Sequence, residues 1–92
     1  MSTTLPENVH IGDSVLYQTL QDEVVLLNME NQQYYGLNDT GARMWKLLME
    51  FKNLEKVSER LGSSYDVDPT LLRADFERLV SELLQRGLLK AA

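Results

Sequence analysis

The hydrophobic pattern of the chain changes period once, near Leu37, and this change is the strongest constraint on its fold. Before that point apolar residues form short alternating or continuous runs, which are typical of strands. After it they recur every three or four residues, which is typical of amphipathic helices. Strands grouped before helices indicate an α+β fold in which helices cover an antiparallel sheet. A chain of 92 residues has room for one domain.

The first part of the chain predicts short strands, the last two of which form a hairpin. Residues 9–20 carry apolar side chains two apart around a turn at Gly12, which predicts one or two short strands. Residues 23–28 (EVVLLN) form a β-branched apolar run that is typical of a central strand. Asparagine tolerates the left-handed backbone that turns often need, so a turn at 28–31 is expected to return residues 32–37 antiparallel, as a hairpin.

Three helices are predicted in the second part, and each has a capping residue before its apolar repeat. Asn38 precedes the first helix, Asn53 the second and Asp68 the third. Gly62 is expected to end the second helix in a left-handed conformation, and Gly87 is expected to end the third.

Charge is distributed unevenly along the chain, and this argues against nucleic acid as a partner. Residues 1–42 contain six acidic side chains and no Lys or Arg, whereas residues 43–92 contain nine basic and eight acidic side chains. A sheet built from the acidic part would repel a phosphate backbone. The basic residues of the first two helices still leave a winged-helix DNA-binding regulator as an alternative, although acidic residues interleave them.

The sequence predicts no catalytic residue, metal site or cofactor site. The single histidine, His10, lies in one turn segment with Asp13 and Ser14, whereas a catalytic triad converges from a rigid scaffold. The chain has no cysteine, its acidic residues are scattered, and its glycines form no phosphate-binding loop. The amino terminus lacks an export signal and no apolar run could span a bilayer, so a cytoplasmic location away from the membrane is expected.

Residues 32–37 (QQYYGL) are the segment most informative about function. As the outer arm of a small sheet, this segment would leave a row of backbone N–H and C=O groups without partners. Only Gly36 could disturb the edge, while Tyr34 and Tyr35 place aromatic rings on both of its faces. An extended peptide could therefore add to the sheet as a further strand, and pockets between this edge and the third helix would read its side chains. Tyr35→Pro is expected to weaken peptide binding, because proline removes a backbone donor from the ladder. Pairing of two copies through the same edge, as a dimerisation module, is the alternative.

A set of short motifs spreads over about residues 9–89. Its members are VVLLN at 24–28, YYGLN at 34–38, Gly41-Ala42, Trp45, Leu47-Leu48, Leu61, YDV at 65–67, Asp75-Phe76, Leu83 and GLL at 87–89. This pattern resembles the PqqD-like family, the leader-peptide recognition domains of ribosomally made, post-translationally modified peptides (RiPPs). Within the family it is most similar to the free-standing members of lasso-peptide clusters. Asn31 is a departure, because such sequences often have Gly there.

The resemblance implies a single PqqD-like peptide-recognition domain over residues 1–92, with residues 1–8 as a flexible lead-in. Its fold would be α+β and winged-helix-like, a three-stranded antiparallel sheet followed by three α-helices. It implies a non-catalytic adaptor without a cofactor, which binds the leader of a precursor peptide along residues 32–37, in a groove closed by the third helix. A separate protease and cyclase would then process the precursor; a PqqD-type chaperone for a peptide modified by a radical-SAM enzyme is the alternative within the family. The implied peptide contacts are Gln33, Tyr34, Tyr35, Arg73, Asp75, Phe76, Glu77 and Val80.

Overall fold

A computed structural model describes residues 5–64 and 68–92 of the chain, so residues 1–4 of the predicted lead-in and the YDV motif at 65–67 lie outside the described residues. Within the described ranges four strands precede the three helices, as the change of period predicts, and a fifth strand follows them. The elements are β1 (Val9–Ile11), β2 (Val15–Leu20), β3 (Glu23–Asn28), β4 (Gln33–Leu37), α1 (Asp39–Phe51), α2 (Leu54–Ser64), α3 (Pro69–Gln85) and β5 (Leu89–Ala91).

Strands β2, β3 and β4 form the predicted three-stranded antiparallel sheet, with β3 in the centre. Tyr17 of β2 pairs with Leu26 of β3, and Leu26 pairs with Tyr35 of β4. Cross-strand partners share a face of a sheet, so these three side chains form one row. This row marks the inner face, because the ring of Tyr17 packs edge-on against Trp45 of α1 with the ring centroids 5.3 Å apart.

The hydrophobic core lies between the inner face of the sheet and the three helices. Its largest fully buried side chains are Trp45 of α1, Phe76 of α3 and Leu26 of β3. Burying an apolar side chain of this size contributes about 1.5–3 kcal/mol. The helices are thereby held on one side of the sheet, and this arrangement brings α3 near the β4 strand.

The turn between β3 and β4 takes its left-handed residue at Gln32, with φ of 57°. The expectation that an asparagine supplies this conformation is therefore wrong. The asparagines stabilise the turn through their side chains instead: Asn28 Oδ1 accepts from the N–H of Glu30 and Asn31 Oδ1 accepts from the N–H of Gln33, each at 3.0 Å. Such bonds from Asn to a backbone two residues on are common in turns.

The predicted helix starts are confirmed. Asn38 accepts from the first turn of α1, Asn53 from the first turn of α2 and Asp68 from the first turn of α3, at 2.9–3.1 Å. Gly87, with φ of 73°, ends α3 as predicted. The prediction that Gly62 ends the second helix is wrong, because α2 continues through it to residue 64. No left-handed backbone is needed at that position, since the helix simply keeps its hydrogen-bonding pattern.

A second, two-stranded sheet joins β1 to β5, and the sequence did not predict it. It ties the first described residues to the last ones, with the N–H of Ala92 donating to the carbonyl of Asn8 at 3.0 Å. The N–H of Leu54 in α2 also donates to the carbonyl of Glu7 at 2.9 Å. Glu7 and Asn8 of the predicted lead-in are thus hydrogen-bonded to the body of the protein. None of the helices in the described ranges combines the length and the apolar character that crossing a membrane requires.

Candidate functional site

Strand β4 has a free edge. It pairs with β3 along one side, and no strand in the described part of the chain pairs with its other side. The carboxy-terminal strand β5, which could have covered this edge, pairs with β1 instead. Tyr34 in the middle of β4 is 71% exposed. An extended peptide can therefore reach the backbone of β4 from outside.

The register of the sheet determines which backbone groups point to the free edge. The N–H of Met29 donates to the carbonyl of Ser14 at 2.7 Å, so the backbone of residue 29 faces β2. Successive residues of a strand point their N–H and C=O groups to opposite sides, so Leu26 faces β4. Its partner Tyr35 consequently bonds inward to β3. The residues of β4 whose N–H and C=O groups point to the free edge are therefore Tyr34 and Gly36.

This result changes the meaning of the Tyr35→Pro substitution. Because the N–H of Tyr35 points to β3, proline there removes a bond of the native hairpin, not a donor offered to a guest strand. The sequence-based expectation placed the donor on the wrong side of the strand. Alternation along a strand is readable from sequence, but its absolute phase depends on the register with the neighbouring strands.

The end of α3 lies beside the hairpin end of the free edge. The guanidinium of Arg86, which caps α3, lies 4.9 Å from the centroid of the Tyr35 ring. Arg86 also forms an ion pair with Glu82 at 3.2 Å. Burial, and then the hydrogen bond with Glu82, raise the pKa of the Tyr35 hydroxyl above its ordinary value. The three side chains form an aromatic and charged cluster at this end of the groove.

One stripe of α3 lies on the side of the helix that carries Glu82 and Arg86, and we call it the α3 stripe. Glu82 and Arg86 identify its direction, and residues four, seven or eleven positions earlier fall on the same side of a helix. Leu79 is half-buried on this side, and Leu71 is 61% exposed near the start of the helix. The stripe thus alternates apolar and charged side chains and ends in two charged ones. Its members are Leu71, Asp75, Leu79, Glu82 and Arg86.

Three of the peptide contacts implied by the family resemblance lie together on β4. They are Gln33, Tyr34 and Tyr35, of which the first two are exposed and the third is half-buried. Asp75 lies on the α3 stripe, eleven residues before Arg86, and forms an ion pair with Arg78 at 3.4 Å.

The other four implied contacts lie away from the groove. Phe76 and Val80 are 1% and 0% exposed, respectively, and belong to the core. Arg73 lies on the side of α3 that faces α2, where it forms ion pairs with Glu55 at 3.3 Å and Glu77 at 3.5 Å that raise its pKa. Arg73 and Glu77 line a cleft of about 600 Å³ beside α2 and residues 5–7. The reason is helical phase: the apolar stripe of α3 faces the core, so the groove is met by a stripe rotated away from it.

Sequence reasoning did not name Leu71, Leu79, Glu82 and Arg86 of the α3 stripe as peptide contacts. A signal was present, because the last three follow Asp75 by four, seven and eleven positions. That spacing groups them on one side of α3, but the sequence alone does not say that this side meets β4.

The outer face of the sheet, opposite the helices, carries exposed apolar side chains. Leu16 of β2 pairs with Leu27 of β3, which pairs with Tyr34 of β4, so the three form a row on this face. Leu16 and Tyr34 are both more than half exposed, and Leu20 further along β2 is exposed as well. A strand added to β4 would extend this face without covering it.

Comparisons with known proteins give one family profile and two solved structures of similar fold, each determined with a leader peptide. A profile of the family described as coenzyme PQQ synthesis protein D (PqqD) matches residues 23–89. The chain is similar to the solved structure of TbiB1 in complex with the TbiA(beta) leader peptide, with 33% identity, a TM-score of 0.82 and coverage of 89% of this chain and 95% of that chain. It is also similar to lasso peptide synthetase B1 complexed with the leader peptide, with 25% identity, a TM-score of 0.80 and coverage of 90% and 98%. A search of the curated proteins found no match.

Proposed function

The chain belongs to the PqqD family, and from this premise we propose that it is an adaptor that binds the leader of a RiPP precursor peptide by strand addition to β4. The observation that carries the proposal is the free edge of β4 beside the α3 stripe. Strand addition to such an edge is a common mode of peptide recognition, in which backbone bonds supply affinity and side-chain pockets supply specificity.

The class of peptide follows from the similar solved structures. Both contain a leader peptide, and the second is of a lasso peptide synthetase component. Their similarity extends over about nine tenths of this chain, and the family profile matches residues 23–89, which include β4 and α3. We therefore assign this adaptor to lasso-peptide biosynthesis.

The proposed contacts combine the residues of the free edge with those of the α3 stripe. Tyr34 and Gly36 offer two N–H and two C=O groups, so the ladder contains at most four bonds with the guest. At a net value of about 0.5–1.5 kcal/mol each, four bonds supply about 2–6 kcal/mol. Micromolar binding requires about 8 kcal/mol, so side-chain contacts must supply the difference. The residues proposed for these contacts are Gln33, Tyr34, Tyr35, Leu71, Asp75, Leu79, Glu82 and Arg86.

In this proposal the chain performs no chemistry itself. A peptide held at a sheet edge keeps both of its ends available to other proteins, which suits an adaptor that delivers its guest. A separate protease and a cyclase would act on the bound precursor. The aromatic and charged cluster around Tyr35 binds and orients the peptide, and its groups take part in no bond cleavage.

The proposal is tested by selecting random peptides, displayed on phage, for binding to the intact protein, with the TbiA(beta) leader peptide as a second probe. We expect peptides with micromolar or tighter dissociation constants, and we call the best of them the selected peptide. In hydrogen exchange followed by NMR, its binding should slow exchange at the N–H groups of Tyr34 and Gly36. Failure of both probes to bind, or binding that leaves exchange on β4 unchanged, would contradict strand addition.

A further inference from the structure

Asn28 is the one polar side chain that is buried in the described part of the chain, with 7% of its surface exposed. Its Oδ1 accepts from the N–H of Glu30 at 3.0 Å, a bond within the hairpin turn. Its Nδ2 donates to the carbonyl of Arg86 at 3.2 Å, a bond that spans 58 residues of sequence. Asn28 therefore joins the β3–β4 hairpin to the end of α3.

The carbonyl of Arg86 lies at the C-cap of α3, where this helix contacts β4. The side chain of the same residue lies over the ring of Tyr35 and pairs with Glu82, so the position of this backbone determines the spacing between the α3 stripe and β4. The chain then turns away at Gly87, where an added Cβ would lie 3.6 Å from Nδ2 of Asn28. Gly87, which follows the accepting carbonyl, therefore lies close to the side-chain amide of Asn28.

The width of this groove matters for strand addition. A guest strand lies about 4.8 Å from its neighbour, and its inward side chains must also fit against the helix. A helix end displaced in either direction would leave those side chains without contacts or would exclude them. Interior groups are closely packed, so a change of one bond at the hairpin is transmitted to the groove.

We propose that Asn28 is a positioning residue for peptide binding: its Nδ2–H···O bond to Arg86 sets the spacing between the α3 stripe and β4. With 7% of its surface exposed, Asn28 offers little area to a peptide and acts through the position of Arg86. This inference rests on the proposed function and deepens it, since it says what holds the groove at its working width.

The test uses two substitutions of the same chemical type in the same hairpin. Asn28→Asp keeps the oxygen that accepts from Glu30 but removes the donor to Arg86. Asn31→Asp adds the same charge three residues away and keeps the oxygen that accepts from Gln33. We expect Asn28→Asp to raise the dissociation constant of the selected peptide about tenfold, and Asn31→Asp to change it by less than about twofold.

Two further measurements separate positioning from stability. Val57→Ala in the core of α2 lowers stability away from the groove and should leave the affinity for the selected peptide unchanged. The ring-current shift that Tyr35 imposes on the Arg86 side chain, measured by NMR without peptide, should be reduced in Asn28→Asp alone. If Asn28→Asp does not fold, Asn28→Ser, which is too short to reach Arg86, takes its place with the same expected result.

An unchanged affinity in Asn28→Asp, or equal losses in both Asp variants, would overturn the inference while leaving the proposed function intact. A retained ring-current shift together with weakened binding would also overturn it, because the groove would then not have moved. If the wild-type protein bound neither probe peptide, the proposed function would fail first, and this inference with it.

Discussion

Gly36 offers the sharpest test of strand addition, because its backbone can be changed without changing a side chain that contacts the groove. Its N–H points to the free edge of β4, as the register with β3 requires. No atom lies within 4 Å of an added Cβ, and the residue is not among those with left-handed backbone. Proline is tolerated on edge strands where the missing N–H faces solvent. Gly36→Pro should therefore fold, with the donor removed and its place filled by the ring.

The expected loss follows from the bonds at this residue. Proline removes the N–H···O bond to the guest, and its ring also keeps the guest from approaching the carbonyl of Gly36. Two backbone bonds at about 0.5–1.5 kcal/mol each give a loss of about 1–3 kcal/mol. This corresponds to a dissociation constant about 5- to 150-fold higher. Gly36→Ala keeps the N–H and meets no neighbouring atom, so its effect should stay within about twofold.

The assay is fluorescence anisotropy of the labelled selected peptide against wild type, Gly36→Pro and Gly36→Ala. Chemical denaturation of each variant without peptide checks that the native sheet is retained. If Gly36→Pro binds as tightly as Gly36→Ala, the guest does not pair with the free edge of β4. Side-chain contacts along α3 would then carry recognition, and the reasoning from the unpaired edge would be refuted.

Three further predictions concern charge, ionisation and packing. Binding of the selected peptide should weaken as salt rises, since the acidic first part of the chain forms the sheet and favours a basic guest; equal affinities at low and high salt would contradict this. Because its pKa is raised, the hydroxyl of Tyr35 is favoured in its neutral form by the folded protein, and this stabilisation is present below the ordinary pKa of tyrosine and is lost as pH rises through the raised pKa. Glu82→Gln should lower the pKa of Tyr35 in a tyrosinate absorbance titration. An unchanged pKa would argue against the hydrogen bond between Tyr35 and Glu82. Gly12→Ala should destabilise the fold, because its Cβ would lie 2.5 Å from the carbonyl oxygen of Gly87. Gly41→Ala, whose Cβ would make ordinary contacts in the first turn of α1, should stabilise it by about 0.5–1 kcal/mol; denaturation midpoints that rank these two variants the other way would refute the packing argument.

The features that depend on residues close together in the chain were readable from the sequence. The sequence predicts the starts of three helices because a capping side chain bonds to amides only two or three residues away, as seen at Asn38, Asn53 and Asp68. The hairpin of β3 and β4 was readable for the same reason, although its left-handed residue proved to be Gln32. The family resemblance rests on such short motifs and led to the PqqD family.

The groove itself depended on contacts between distant segments. The apolar period of α3 identifies the side that faces the core, and this placed Phe76 and Val80 among the implied contacts although both are buried. Which of the remaining sides lies nearest β4 is decided by the tertiary structure, in which the guanidinium of Arg86 lies over the ring of Tyr35.

The sequence by itself determined the order of strands and helices, the helix starts and the presence of a tyrosine-rich edge. The tertiary structure alone decided which backbone donors face outward, which stripe of α3 lines the groove and how Asn28 joins the hairpin to Arg86. The physical reason is the distance along the chain over which each interaction acts. Periodicity and capping act over a few residues, whereas strand register and helix orientation are settled by packing between segments that lie far apart in the chain.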